Sequence, residues 1–144
     1  MSTVNIYLTF NGNCKEAFDF YKSILGGEFR SMSKFGDMPP MPEDQKKRIM
    51  HITLPVSKET VLMGSDSGGE WAKNFKQGNN FSVSVSTDSE EEADRTFNGL
   101  VQGGNAMMPM NKTFWGAYFG MLTDKFGINW IVSCEVKSAN KMMS

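Results

Sequence analysis

The chain repeats one order of elements twice, and that repeat restricts its fold more than any other feature. Each half reads as a strand, a helix that ends in Gly-Gly, and then three strands, over about residues 3–66 and 79–135. Val4, Ile6, Leu8 and Phe10 alternate with Asn5, Tyr7 and Thr9, the period of a half-buried strand. "NGNCKE" breaks that strand, and Asn13 with Glu16 has the spacing of a capping box. Ala17, Phe18, Phe20, Tyr21, Ile24 and Leu25 then form an apolar helical face that stops at Gly26–Gly27. In the second half "NFSVSVSTD" alternates again, and "SEEEADRTFNGLVQGG" is a helix ending at Gly103–Gly104. The helices superpose at a shift of 76, with Ala17 on Ala93, Tyr21 on Phe97 and Ile24 on Leu100. The terminal hairpins superpose at 68, with Leu54 on Leu122, Leu62 on Trp130 and Met63 on Ile131. A first-strand shift of 75 sets Asn5 against Asn80.

A repeated βαβββ unit implies an α+β fold. The expectation is two curved mixed four-stranded sheets, helices on their outer faces and a concave surface between them. One hundred and forty-four residues suffice for one such domain and for nothing further. If Ile6, Leu8, Phe10, Phe81, Val83 and Val85 pack under the helices, then Asn5, Tyr7, Thr9, Asn80, Ser82, Ser84 and Ser86 line the concavity. Amides and hydroxyls on such a face suit a cleft for a polar small molecule; they suit a plainly solvated sheet face as well.

Charge narrows the partners. Fifteen basic residues against sixteen acidic ones give a formal net charge of −1, which offers no basic footprint for nucleic acid and no polybasic membrane anchor. No apolar run approaches the roughly 20 residues that span a bilayer, and the N-terminus lacks a signal-peptide layout, so a cytoplasmic location is expected. Cys14 and Cys134 have no ligand-like spacing and read as reduced thiols; Cys14, in a helix's first turn, is also where a dipole could activate a thiol. His51 is the only histidine, which excludes a metal site built from several imidazoles.

Three stretches, "YLTFNGNCKEAFDFYKSILGGE", "MHITLPV" and "TFWGAYFGMLTDKFGINWIV", resemble PhnB-like proteins of the glyoxalase/bleomycin-resistance/dioxygenase, or vicinal oxygen chelate, superfamily. The resemblance covers nearly the whole chain and implies paired βαβββ modules assembled as a homodimer. Some PhnB-like proteins carry a methyltransferase label, yet the sequence has no strand, glycine-rich turn and helix that would cradle a nucleotide-like cofactor. Superfamily enzymes hold a metal through up to four ligands on the first and last strands of each module. The resemblance carries those positions to Asn5, Met63, Asn80 and Ile131. A thioether and an alkyl group cannot stand in for two carboxylates around a hard cation, so no metal and no other cofactor is expected. Tyr118 stands where relatives often carry Arg, which argues against an anionic ligand, and Lys125 stands where they often carry Pro.

The expected function is therefore binding of an unidentified small molecule in a metal-free cleft, through Asn5, Tyr7, Thr9, Asn80, Ser82, Trp115 and Tyr118. The alternative is a lyase or isomerase of glyoxalase type, in which His51 works as acid or base with Tyr7 or Tyr118. Each of these side chains also has a structural reading: a hydrogen-bonded histidine, packed or rim tyrosines, an interface tryptophan. A third possibility is an interaction module, signalled by the methionine-rich loop 36–46, which would lid a pocket or cover a partner subunit.

Overall fold

A computed structural model describes residues 2–37, 47–68 and 73–135. The chain divides into two compact units, residues 1–76 and 77–144, each with its own sheet and helix. In the first module β1 (Ile6–Phe10) is followed by α1 (Cys14–Leu25), β2 (Ser31–Lys34), β3 (Ile49–Pro55) and β4 (Val61–Asp66). The second repeats this with β5 (Val83–Thr87), α2 (Glu90–Leu100), β6 (Asn105–Lys112), β7 (Ala117–Thr123) and β8 (Asn129–Glu135). The sheet orders are β1-β4-β3-β2 and β5-β8-β7-β6, and in each the first strand pairs parallel with the last while the other pairings are antiparallel. Of loop 36–46, residues from 38 onward, Met38 and Met41 among them, lie outside the described residues.

Register carries the duplication to single residues. Leu54 pairs with Leu62, and Thr53 with Met63; at a shift of 68, Leu122 pairs with Trp130, and Met121 with Ile131. The first strands follow a shift of 77 rather than 75, because Ile6 pairs with Leu62 and Val83 with Trp130. Ser82, not Asn80, is therefore the counterpart of Asn5, and Asn80 lies outside β5 altogether. The loop before α2 is one residue shorter than the loop before α1, which brings the helices back to 76. Phe81 also precedes β5 and is 51% exposed, so it does not pack beneath a helix; Val83 does, and Val85 is half-buried.

The first module's core joins Leu8 and Phe10 of β1, Ile52 and Leu54 of β3 and Leu62 of β4 to Ala17, Phe18 and Tyr21 of α1. Phe18 meets Phe10 and Tyr21 edge-on. The second core gathers Val83, Ala93, Phe97, Leu100, Leu122, Trp130 and Val132. Each such Leu, Ile, Val or Phe side chain contributes about 1.5–3 kcal/mol relative to exposure. Alternation then turns the remaining side chains of each sheet to the face opposite its own helix.

The two helices start differently. Asn13 makes no side-chain cap; the Asp66 carboxylate accepts the amides of Gly12 at 2.8 Å and Cys14 at 3.0 Å through Oδ1, and that of Ile49 at 2.8 Å through Oδ2. The cap expected from the local sequence thus comes from the end of β4, 52 residues away. The 68-residue shift puts Cys134 at that place in the second module, and α2 is capped locally, Ser89 Oγ accepting the Glu92 amide at 3.1 Å. Pro109 sits in the edge strand β6 between Met108 and Asn111, where the register with β7 slips and no ladder donor is needed. Among the described residues no helix is long and apolar enough to cross a membrane.

Candidate functional site

The face of the first sheet opposite α1 carries the single histidine of the sequence. Register lines up Tyr7 of β1, Met63 of β4, Thr53 of β3 and Ser31 of β2 across all four strands. His51 is two residues from Thr53 on the same face and pairs with Ser33. The polar groups form a chain. His51 Nε2 is 2.8 Å from Thr53 Oγ1, Ser31 Oγ is 3.3 Å from the same hydroxyl, and Tyr7 Oη is 3.4 Å from His51 Nδ1. Thr53 is only 5% exposed, whereas Tyr7 is 47% exposed at the other end. The Tyr7 contact is long for a hydrogen bond, as such contacts are before a ligand tightens them. This arrangement offers a ligand a phenol, an imidazole edge and hydroxyls.

The remaining candidates fall in several places. Thr9 is exposed two residues beyond Tyr7 on the same face. Asn5 Oδ1 accepts the Val61 amide at 3.3 Å, so its acceptor oxygen already holds the β1–β4 edge. Asn80 and Ser82 are exposed ahead of β5. Tyr118 is corrected most clearly. Strand parity turns it to the helix side with buried Gly120 and Leu122, and its hydroxyl donates to Asp94 Oδ1 of α2 at 2.6 Å. That hydrogen bond, with burial and the carboxylates of Asp94 and Glu90, pushes its pKa up to about 12. It does not line the open face of its own sheet.

Trp115 is 57% exposed at the β6–β7 turn, edge-on to Phe119 at 5.9 Å and beside Phe114 at 5.1 Å, which is 98% exposed. The open face of the second sheet differs from the first. Ser84 and Ser86 are polar, as expected, but Ile131, Met121 and Phe119 beside them are half-buried apolar groups. Met63 and Ile131 do occupy matching register positions opposite the helices. Among the described residues no three His, Cys, Asp or Glu side chains gather as a metal would require. Cys14 is fully buried, and burial together with Asp66 pushes its thiol up, the reverse of an activated helix-start cysteine.

Thr53 and Ser31 were not among the expected site residues. The alternation His51–Thr53 and Ser31–Ser33 put them on polar faces, but only the β2–β3 register, which spans the loop between them, brings them together.

A family described as 3-demethylubiquinone-9 3-methyltransferase matches residues 2–133. The chain belongs to that family. This PhnB-like chain is 43% identical to protein PA1353 of Pseudomonas aeruginosa, whose crystal structure superposes with a TM-score of 0.82 over 94% of this chain and 99% of that one. The Bacillus cereus PhnB protein is 28% identical, with a TM-score of 0.76 over 92% and 99% of the two chains. A glyoxalase/bleomycin resistance protein/dioxygenase family enzyme of Burkholderia phytofirmans shares the fold at 15% identity, with a TM-score of 0.59 over 94% and 98%. The PhnB-like chain thus shares with that enzyme a fold of two mixed four-stranded sheets and two helices.

Proposed function

We propose that this PhnB-like protein binds a small, uncharged polar molecule on the open face of its first module, without a metal ion. The observation that carries the reading is the Tyr7–His51–Thr53–Ser31 chain on the sheet face opposite α1. The metal of the superfamily does not fit the residues present. Met63 and Ile131 bring a thioether and an alkyl group, Asn5 spends its oxygen on the Val61 amide, and Ser82, the register counterpart of Asn5, brings a neutral hydroxyl. Hard divalent cations require oxygen ligands, and the neutral hydroxyls nearby are weak substitutes.

The family description does not extend to a methyltransferase chemistry for this chain. A cofactor cradle between strand and helix needs free backbone amides at the turn. In the first module Asp66 already takes the Gly12 and Cys14 amides; in the second, Glu90, Glu91 and Glu92 fill the first turn of α2. An enzyme of lyase or isomerase type is the second reading, favoured by the 3.4 Å approach of Tyr7 to His51 and now confined to that pair. Assembly as a homodimer is part of the proposal, and sedimentation equilibrium giving the mass of one chain would remove it.

A thermal-shift screen of a neutral metabolite library, run with EDTA and again with Mn²⁺, Ni²⁺ or Zn²⁺, tests the binding reading. A ligand that raises the melting temperature of the wild type equally in EDTA, and fails to do so in Tyr7→Phe and His51→Gln, supports it. A ligand shift that appears only with added metal overturns it.

A further inference from the structure

Resting on that binding reading, we infer that His51 is held as its Nδ1–H tautomer, so that Tyr7 keeps a free hydroxyl proton and the site selects a ligand bearing an acceptor oxygen, a ketone or amide carbonyl. A neutral imidazole donates from one nitrogen and accepts at the other. Thr53 and Ser31 decide which. The Thr53 hydroxyl has one proton, is almost fully buried, and has two polar side-chain neighbours, Ser31 Oγ and His51 Nε2. The exposed Ser31 hydroxyl donates to Thr53, and the Thr53 proton then goes to Nε2. Thr53 Oγ1 and Nε2 are 2.8 Å apart, within hydrogen-bond length, and Nδ1 and Tyr7 Oη are 3.4 Å apart, beyond the ordinary one. The reverse chain, Tyr7 to Nδ1 and Nε2–H to Thr53, would make Thr53 accept from both neighbours and donate to neither.

Two consequences follow for the chemistry of the site. With Nε2 occupied and Nδ1 protonated, His51 has no lone pair for a ligand proton and serves to orient Tyr7. Tyr7, 47% exposed, is the group that meets the ligand, and it meets it as a donor. Thr53 and Ser31 are positioning residues that act through the imidazole.

The single histidine makes the test direct, because the imidazole signals of the ¹⁵N-labelled full chain can come from no other residue. Long-range ¹H–¹⁵N correlation in the neutral-imidazole range is expected to show a protonated Nδ1 and a bare Nε2. Thr53→Val, which removes the donor to Nε2 and keeps the shape, is expected to shift the tautomer toward Nε2–H. Observing Nε2–H in the wild type overturns the inference, as does a Thr53→Val spectrum identical to it. Acetophenone and indole, of similar size, then probe the ligand class. Acetophenone is expected to perturb the Tyr7 and His51 signals and to bind about tenfold more weakly to Tyr7→Phe, the worth of one hydrogen bond. Indole, a donor without an oxygen acceptor, binding more tightly than acetophenone overturns the ligand class. Neither compound perturbing these signals overturns the ligand class and leaves the tautomer, measured without ligand, to stand or fall by itself.

Discussion

The ring of Phe18 lies against the backbone of Gly64: a β carbon built on Gly64 would come 2.6 Å from Phe18 Cε1 and 2.8 Å from the Leu8 carbonyl oxygen. The missing side chain lets α1 settle onto β4, and it does so next to the strand residues that fix the open face. Gly64→Ala is expected to destabilise the protein by about 1–3 kcal/mol, the cost of overpacking a close-packed core. Gly78→Ala is the control, since its β carbon would meet nothing nearer than 3.7 Å, and it is expected to stay within about 0.5 kcal/mol. Urea unfolding of both variants measures the difference.

Asp66 holds three backbone amides at 2.8–3.0 Å while 3% exposed, and so ties the start of α1 and the start of β3 to the end of β4. Asp66→Ala strands those donors in the interior, where each unsatisfied group costs about 1–3 kcal/mol. A loss of at least about 3 kcal/mol is expected on that scale, and Asp66→Asn should lose less because one oxygen remains. Chemical denaturation monitored by tryptophan fluorescence checks the order of the two. If the alanine variant is as stable as the wild type, the cap is not carried by this side chain.

The Asp66 cap also shows where sequence reading reaches its limit. Alternation in β1 and β5, the apolar faces of α1 and α2, and the matching hairpins are local patterns, so the repeated order of elements along the chain could be read directly. So could the equivalence of Met63 and Ile131, which rests on one gapless segment. The shift between first strands could not, because a loop one residue shorter leaves no mark in a chain with few identities, and the sequence pattern sets Asn80 where the register has Ser82. Asn13 had the right spacing for a cap, but an acceptor 52 residues away from Cys14 took its place. Tyr118 had the right chemistry for the site and the wrong parity, a difference of one residue on a strand. The Tyr7–His51 approach depends on the β1–β4–β3 order, to which no short motif points.

Neither thiol is available in the folded protein. Cys14 is fully buried with its thiol pushed up by burial and by Asp66, and Cys134 is 5% exposed. Thiolate is the reactive form, so labelling by a disulfide reagent is expected to be slow and to proceed at the rate of opening. Two equivalents should react quickly in denaturant. Rapid modification of one thiol in native buffer, lost in Cys14→Ala, would mean that the helix start is open in solution.

Tyr118 and Asp94 give a pH dependence with a definite sign. The phenol proton is shared with the Asp94 carboxylate at 2.6 Å, and the folded pKa stands at about 12, above the value of about 10 for a free tyrosine. Between these values the unfolded chain has lost a proton that the folded chain keeps, so folding becomes less favourable as pH rises. The contribution of this pair is complete below about pH 10 and is lost as pH climbs through about 12. The difference in phenolate absorbance between wild type and Tyr118→Phe isolates this titration from the other two tyrosines. Asp94→Asn is expected to bring its midpoint down toward 10, because the neutral amide neither repels the phenolate nor holds the proton as strongly. A midpoint unchanged by Asp94→Asn would show that the α2 carboxylate does not hold Tyr118 on the helix side in solution, and would return its hydroxyl to the list of groups a ligand could meet.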